Sequence, residues 1–142
     1  MTQTTIHLKT KIFDVLRRKY VALTPEEEVR QGFVHFLIED RHYPKELLAN
    51  EVELNSGNKK LRCDTVVYDT ALKPVMIVEY KAPHIELTQA IFNQILDYNS
   101  LLGVTYLVMS NGRTTVCCKV NDGNYEFLKE IPEYSTINTK EQ

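Results

Sequence analysis

The sequence predicts a single α/β (α+β) domain in which a mixed β-sheet is flanked by helices. Two amphipathic helical patterns, several short apolar runs typical of strands, and Asn- and Gly-rich turns between those runs support this fold class. The chain has 142 residues, 43% hydrophobic and 25% charged, which suits one folded, water-soluble domain. We assign residues 1–134 to the domain and expect a frayed polar tail at 135–142.

Composition and charge exclude several classes of protein. No apolar run approaches the roughly 20 residues that span a membrane, and the polar start lacks a secretory segment, so we expect a cytoplasmic protein without membrane contact. The net charge of −2 argues against a protein that coats nucleic acid through bulk electrostatics. Three cysteines without metal-ligand spacing indicate reduced, structural residues.

The first helix is predicted at residues 25–39, after a short segment at 12–21. Thr24 is the expected N-cap, because a proline and three glutamates follow it, and Glu27 completes a capping-box pattern. Apolar residues then recur at helical spacing and predict one buried stripe. These residues are Val29, Phe33, Phe36 and Leu37.

The remaining elements follow from alternating apolar runs and turn motifs. Strands are predicted at 50–54, 61–68 and 75–80, and a second helix at 88–102 is terminated by Gly103. Residues 104–109 are apolar enough for a buried central strand, and strands at 114–120 and 125–128 complete the sheet. The inward residues of the second helix are expected to be Ile91, Ile95, Leu96 and Leu102.

The hairpin formed by strands 61–68 and 75–80 brings charged residues together. A turn centred at 71 and 72 pairs Tyr68 with Val75, Val66 with Ile77, and Asp64 with Glu79. Opposed residues of an antiparallel pair have Cβ atoms about 4.5–5.5 Å apart, so the two carboxylates would meet. Lys81 lies two residues after Glu79 and shares its face, even where the register shifts by one residue.

Two carboxylates and a lysine on one spot favour metal-assisted chemistry. Mg²⁺ and Mn²⁺ prefer oxygen ligands, commonly one or two carboxylates together with water and a substrate phosphate. A cation there would relieve the repulsion and promote phosphodiester hydrolysis, with Lys81 positioning the attacking water. The alternative interpretation is a surface ion-pair cluster at the end of a strand.

The segment RCDTVVYDTALKPVMIVEYKAP resembles the D…ExK core of the PD-(D/E)XK nuclease superfamily. Together with TPEEEVRQ, QILDY and LVMSNG, it is similar to the N-terminal nuclease domain of type I restriction enzyme R proteins, especially to short stand-alone members. The resemblance implies a restriction-endonuclease-like fold. It also implies that Asp64, Glu79 and the main-chain carbonyl of Tyr80 are metal ligands and that Lys81 is the catalytic lysine.

The same resemblance implies further site residues. The family's first helix supplies a glutamate toward the metal. We favour Glu26 for this role from its spacing to the inward stripe, while Glu27 and Glu28 remain alternatives. Gln94 and Tyr98, four residues apart, match a Q-x-x-x-Y pattern that faces DNA. The nucleic-acid-binding candidates also include a basic cluster formed by Lys59, Lys60 and Arg62.

These features predict a Mg²⁺- or Mn²⁺-dependent endodeoxyribonuclease, or a nuclease component related to type I restriction R proteins but without a helicase motor. The alternative is a catalytically inactive nucleic-acid-binding or assembly module of the same fold. The expected partner is DNA. A restriction or helicase-type partner protein and a homodimer, formed through the sheet edge at 125–128, are further alternatives.

Overall fold

The computed structural model describes residues 9–138, apart from the side chains of residues 56, 98, 100 and 101. It contains eight strands, three α-helices and one 3-10 turn at Lys45–Leu47. The strands are β1 (Lys11–Asp14), β2 (Lys19–Ala22), β3 (Leu48–Ser56), β4 (Lys59–Tyr68), β5 (Pro74–Tyr80), β6 (Tyr106–Ser110), β7 (Thr115–Asn121) and β8 (Asn124–Leu128). The helices are α1 (Pro25–Asp40), α2 (Gln89–Leu102) and α3 (Tyr134–Ile137).

Strands β3 to β8 form one six-stranded sheet in chain order, and β1 and β2 form a separate hairpin. Strands β5 and β6 are parallel, because α2 crosses from the end of one to the start of the other, while every other neighbouring pair is antiparallel. The expected mixed sheet flanked by helices is therefore confirmed.

Helix α1 covers one face of the sheet. The amide of Glu27 donates to Thr24 Oγ1 at 3.0 Å, so the predicted N-cap is confirmed. Val34 and Leu37 are fully buried against β4, β5 and β6, in a cluster that also contains Val67 and Val108. Burial of this apolar stripe stabilises the helix more than its own propensity does.

Helix α2 covers the opposite face. It begins after Thr88, whose Oγ1 accepts from the amide of Ile91 at 3.3 Å, and ends at Gly103 in the left-handed conformation (φ 64°). Among its described side chains, Phe92 and Ile95 are the buried apolar residues, and Phe92 was not among those expected from the sequence. The expected Ile91, Leu96 and Leu102 are partly buried. None of the helices in residues 9–138 is long and apolar enough to cross a membrane.

The register between β4 and β5 differs in part from the expectation. Val66 pairs with Ile77 as predicted, but a bulge places Tyr68 opposite Pro74 rather than Val75. The bulge lies between Val67 and Tyr68 and leaves Val75 without a partner, next to a turn in which Asp69 Oδ1 accepts from the amides of residues 71 and 73, each at 2.9 Å. The predicted opposition of Tyr68 and Val75 is wrong for this reason.

The ordered domain extends past the expected boundary at residue 134. Helix α3 buries Ile137 completely, and Tyr134 donates its hydroxyl to the carbonyl of Tyr68 at 2.8 Å. Asn138 then accepts from the amide of Thr70 at 3.0 Å. Residues 135–138 are therefore part of the fold, and residues 139–142 lie outside the described range.

Asp14 attaches the β1–β2 hairpin to the rest of the domain. Its buried carboxylate accepts from the amides of Leu16 and Arg17 at 2.8 and 2.9 Å and pairs with the Arg17 guanidinium. Asn50 on β3 donates to both carboxylate oxygens at 3.2 and 3.1 Å. Burial alone would raise the pKa of Asp14, but these hydrogen bonds outweigh it and lower the pKa to about 2.

We expect Asp14→Asn to lower the free energy of unfolding by about 2 kcal/mol at pH 7. Because the folded-state pKa lies below the unfolded value, the charge contributes stability above about pH 4 and loses it as pH falls through about 2. Urea titrations at pH values from 7 to 2.5 should show that the free energy of unfolding of the variant falls less with decreasing pH than that of wild type. Asp122→Asn, in the exposed turn before β8, is the control; equal effects of both substitutions would contradict the assignment.

Candidate active site

Strands β4 and β5 form a fork at one end of the sheet. Their ladder ends at the pair Thr65–Val78, although β4 begins at Lys59 and β5 continues to Tyr80. Beyond that pair, β4 remains bonded only to β3 on its other side. The fork therefore leaves peptide groups and side chains of both strands directed into the space between them.

Asp64 bridges the fork with its side chain. Its Oδ2 accepts from the backbone amide of Tyr80 at 2.9 Å, so a carboxylate oxygen occupies the place of a strand carbonyl. The register that ends at Thr65 and Val78 has Asp64 and Glu79 as its next opposed residues, as the sequence predicts. The tertiary structure thus fixes the orientation of the Asp64 carboxylate.

Glu79 supplies the second carboxyl group of the fork. Its Oε1 is buried and has no hydrogen-bond partner among the described residues. Burial raises the pKa of Glu79 far above its usual value, and the neighbouring charge of Asp64 raises it further. The positive charge of half-buried Lys81 acts in the opposite direction but only partly offsets these effects.

The carbonyl of Tyr80 also faces the fork. The amide of Lys81 donates to the carbonyl of Ser110 on β6 at 2.9 Å, and the structure has no cis peptide bond in the described residues. In a trans peptide the C=O and the following N–H point in opposite directions. The Tyr80 carbonyl is therefore directed away from β6, toward Asp64.

Arg30 supports the fork from the α1 side of the sheet. Its Nη1 donates to the carbonyl of Asp64 at 3.0 Å, and its Nη2 donates to Glu51 Oε1 at 2.6 Å. Its Nε lies 2.9 Å from Glu27 Oε2, and the guanidinium lies 5.9 Å from the ring centroid of Tyr80. Burial would lower the pKa of Arg30, but the surrounding carboxylates raise it overall.

A second route of hydrogen bonds joins the fork to the hairpin. The Tyr80 hydroxyl donates to Thr65 Oγ1 at 2.9 Å, and the Thr65 hydroxyl donates to Asn50 Oδ1 at 2.7 Å. Asn50 donates to the carboxylate of Asp14. Arg17, three residues after Asp14, donates to Glu27 Oε1 at 2.9 Å. Since Glu27 pairs with Arg30, the two routes close into one ring beneath the site.

The structure distinguishes among the three glutamates of the first helix. Glu27 is buried and paired with Arg17 and Arg30, whereas Glu26 and Glu28 are exposed. The expectation that Glu26 shares the inward face is wrong. The buried residues of α1 are Glu27, Val29, Arg30, Gln31, Phe33, Val34 and Leu37, so positions 29, 33 and 37 are buried as predicted, and Glu27 rather than Glu26 is the buried glutamate. A contact of Glu26 with a metal remains an untested prediction that this exposed position does not support.

The other candidates lie on exposed surfaces. Gln94 is exposed on α2, and the side chain of Tyr98 lies outside the described residues. Lys60 and Arg62 pair with glutamates of β3, at 3.7 Å from Glu53 and 2.8 Å from Glu51 respectively, while Lys59 is exposed at the start of β4. Two of these three cations thus have carboxylate partners already, and their contact with nucleic acid remains a prediction.

The support residue Arg30 was not among the site residues predicted from the sequence. Its spacing to Glu27, three residues earlier on the same helix, is a recognisable signal for an ion pair. That spacing gives no information about Asp64 or Glu51, which are far away in the sequence. Only the packing of α1 on the sheet joins them.

The chemistry of the fork fits a hard divalent cation. Two carboxyl groups and one main-chain carbonyl are oxygen donors of the kind that Mg²⁺ and Mn²⁺ prefer. The buried, unpartnered Glu79 Oε1 is the observation that supports this fit, because an unpaired buried acceptor is costly. No group of three His, Cys, Asp or Glu side chains converges within the part of the chain that the structure describes.

Comparisons with known proteins agree with the fold. Residues 25–132 match the family profile described as "Type I restriction enzyme R protein N terminus (HSDR_N)". The fold is similar to a fragment assigned as an HsdR subunit of a type I restriction enzyme from Vibrio vulnificus YJ016, with 16% identity and a TM-score of 0.61. That match covers 81% of this chain and only 24% of the Vibrio chain.

A second structure with a similar fold is a protein of the DUF820 group from Anabaena variabilis ATCC 29413, assigned as a nuclease. The identity is 12% and the TM-score is 0.53, over 83% of this chain and 80% of that one. At these identities the likeness concerns the fold alone. A comparison with curated proteins finds no match.

We expect Glu79→Gln to stabilise the metal-free protein by roughly 1–2 kcal/mol at pH 8. The raised pKa means that the folded protein binds a proton more tightly than the unfolded chain, so wild-type stability falls as pH rises above the usual value of 4.5. Urea unfolding in EDTA should show a larger difference in unfolding free energy between the variant and wild type at pH 8 than at pH 5. Glu86→Gln, an exposed glutamate in the loop before α2, is the control; a Glu79→Gln variant less stable than wild type at pH 8 would refute this account.

We expect Arg30→Lys to lower the free energy of unfolding by about 2 kcal/mol, because lysine lacks the planar guanidinium group whose nitrogens reach three partners. The amide of Tyr80 should exchange its hydrogen faster, since Asp64 loses its support. Arg62→Lys is a matched control that also pairs with Glu51 but is 65% exposed, and it should change stability by less than about 0.5 kcal/mol. Equal destabilisation by both variants would contradict the role of Arg30.

Proposed function

Because the chain belongs to the Type I restriction enzyme R protein N terminus (HSDR_N) family, we propose that it is a Mg²⁺- or Mn²⁺-dependent enzyme that hydrolyses DNA phosphodiester bonds. One observation carries the proposal: the carboxyl groups of Asp64 and Glu79 meet at the fork, where Glu79 Oε1 is buried without a partner in the described structure. Without a cation such a pair keeps a proton on Glu79, and a bound cation can take the place of that proton.

In this proposal Asp64, Glu79 and the Tyr80 carbonyl hold the cation. A divalent cation supplies positive charge that stabilises the negative charge developing on a phosphodiester in the transition state. Asp64 needs a fixed orientation for this role. The Tyr80 amide holds its carboxylate, and Arg30 holds its main-chain carbonyl. Glu79 must be ionised to act as a ligand, so loading of the site releases a proton.

Lys81 is the proposed catalytic lysine. It follows the last residue of β5, and its amide is anchored to Ser110, so its side chain starts from a fixed backbone position. Its ammonium group lies close enough to Glu79 to lower that residue's pKa. We propose that Lys81 Nζ orients the attacking water and contributes positive charge beside the scissile phosphate.

The proposal concerns this domain and leaves its partners to experiment. The chain spans 24% of the Vibrio chain to which its fold is similar, so the activity of a longer assembly is not transferred to it. We propose DNA as the substrate and a restriction-type or helicase-type protein as a partner in the cell. A homodimer is a separate proposal that light scattering tests.

A catalytically inactive nucleic-acid-binding or assembly module is the second candidate function. Two observations favour it: only two acidic side chains meet at the fork in the described structure, and Glu26 is exposed rather than directed toward them. A module of this kind would keep the fold and bind DNA without cutting it.

The test is to measure Mn²⁺ binding by calorimetry together with nicking of supercoiled plasmid in Mg²⁺. Wild type should bind Mn²⁺ and nick the plasmid, Asp64→Asn should lose both, and Lys81→Met should bind Mn²⁺ but nick at least about 100-fold more slowly. Asp122→Asn, in the exposed turn between β7 and β8, is a control that should behave like wild type.

Two outcomes contradict the proposal. Nicking that persists in Asp64→Asn would mean that another site or a contaminant cuts the plasmid. Wild-type protein that retards plasmid in a gel but neither binds Mn²⁺ nor nicks DNA would establish the second candidate instead.

A further inference from the structure

The β1–β2 hairpin carries an exposed aromatic pair outside the residues that match the family profile. Phe13 and Tyr20 are directly paired across the two strands, with ring centroids 5.2 Å apart and planes at 67°. They are 44% and 68% exposed. The profile match begins at residue 25, so the hairpin is a feature of this chain beyond the matched region.

The charge of the hairpin is opposite to that of the whole chain. Residues 9–22 contain five basic residues and one acidic residue, while the chain has a net charge of −2. The acidic residue, Asp14, is buried and paired with Arg17. Lys11, Arg18 and Lys19 are exposed and form no salt bridge with any residue that the structure describes.

Lys11 and the aromatic pair form one surface. Lys11 lies two residues before Phe13 and therefore shares its face of the hairpin, with Tyr20 directly opposite. Arg18 has a left-handed conformation (φ 56°) in the turn at the other end, whereas Lys19, opposite the buried Asp14, alternates to the other face. Cations thus lie at both ends of the exposed aromatic pair.

Hydrogen bonds and ion pairs connect the hairpin to the candidate active site. Asp14 at the end of β1 bonds Asn50, which bonds Thr65, the residue next to Asp64. Arg17 in the turn reaches Glu27, which pairs with the Arg30 that holds the Asp64 carbonyl. A ligand on the hairpin would therefore be bound to an element that two routes of polar contacts join to the fork.

We propose that the β1–β2 hairpin is a docking surface for single-stranded DNA, on which unpaired bases stack against Phe13 and Tyr20 while Lys11 and Arg18 contact the phosphates. Charge complementarity and the exposed rings favour this occupant, because stacking needs the open face of a base, which an intact duplex does not offer. This inference rests on the proposed function: the surface would direct the candidate active site to DNA with an unpaired segment, such as an end or a flap.

Fluorescence anisotropy with the full chain in EDTA tests the proposal without cleavage. The probes are a labelled 20-nucleotide single strand and a blunt duplex of the same length. Wild type should bind the single strand at least about tenfold tighter than the duplex, and Phe13→Val with Tyr20→Val should weaken single-strand binding by roughly fivefold to 100-fold per ring. Valine keeps the strand propensity of both positions while removing the rings.

A matched pair of exposed aromatics provides the control. Tyr125 and Phe127 on the edge strand β8 are 54% and 59% exposed. Tyr125→Val with Phe127→Val should leave binding unchanged. Circular dichroism of every variant checks that the domain is folded.

A second set of variants keeps the aromatic pair intact. Lys11→Gln and Arg18→Asn together should reduce the dependence of log K on log salt by about 1.4, at roughly 0.7 per phosphate contact on a single strand. Asparagine suits the left-handed backbone of position 18. Lys45→Gln with Lys129→Gln, both exposed and remote in the sequence from the hairpin, should leave the slope unchanged.

The proposal is overturned by equal single-strand binding of wild type and the hairpin aromatic variant, by tighter wild-type binding to the duplex, or by tighter binding to a single-stranded RNA of the same sequence. Its failure is distinguishable from failure of the proposed function. Binding in EDTA is independent of cleavage, and nicking of plasmid by a hairpin variant that no longer binds single strands would leave the nuclease proposal standing.

Discussion

The structure of the candidate site depends on one side chain, the guanidinium group of Arg30. Its nitrogens reach the Asp64 carbonyl on β4, Glu51 on β3 and Glu27 on α1, so one planar group joins a helix to two strands. β4 and β5 separate at Asp64, the residue whose carbonyl Arg30 binds and whose side chain spans the gap to the Tyr80 amide. Because arginine stays protonated and presents donors in a fixed plane, it holds this geometry at any physiological pH.

The ring of polar residues beneath the fork explains how the domain tolerates buried charge. Asp14, Arg17, Glu27 and Arg30 alternate in sign around the ring, so that each buried or partly buried charge has an opposite neighbour. Removing one member would leave its neighbour unpaired, which costs more than the pair contributes. Glu79 is the exception: its neighbour is another carboxyl group, and its pKa rises accordingly. Local strain of this kind is typical of functional sites, because the ligand or substrate relieves it.

Part of the candidate site could be predicted from the sequence. The acid-any-lysine triplet at Glu79 and Lys81 fixes a shared face through the two-residue period of a strand, and the apolar pairing of Val66 with Ile77 fixes the register near Asp64. The helix glutamate could not be assigned in the same way. Glu26 and Glu27 both have a spacing that faces the sheet, and Glu27 is the buried one, paired with Arg17 of the distant β1–β2 turn and with Arg30.

The sequence by itself determined the fold class, both long helices, the strands of the sheet and the caps at Thr24 and Gly103, because these depend on local periodicity and turn chemistry. The tertiary structure alone decided the β4–β5 bulge, the docking of Arg30 on the fork, and the packing of α3 beyond residue 134. The docking of Arg30 and the packing of α3 join residues far apart in the chain, whereas the bulge depends on how two neighbouring strands pair. Such contacts form only when whole elements pack, and no local pattern encodes their geometry.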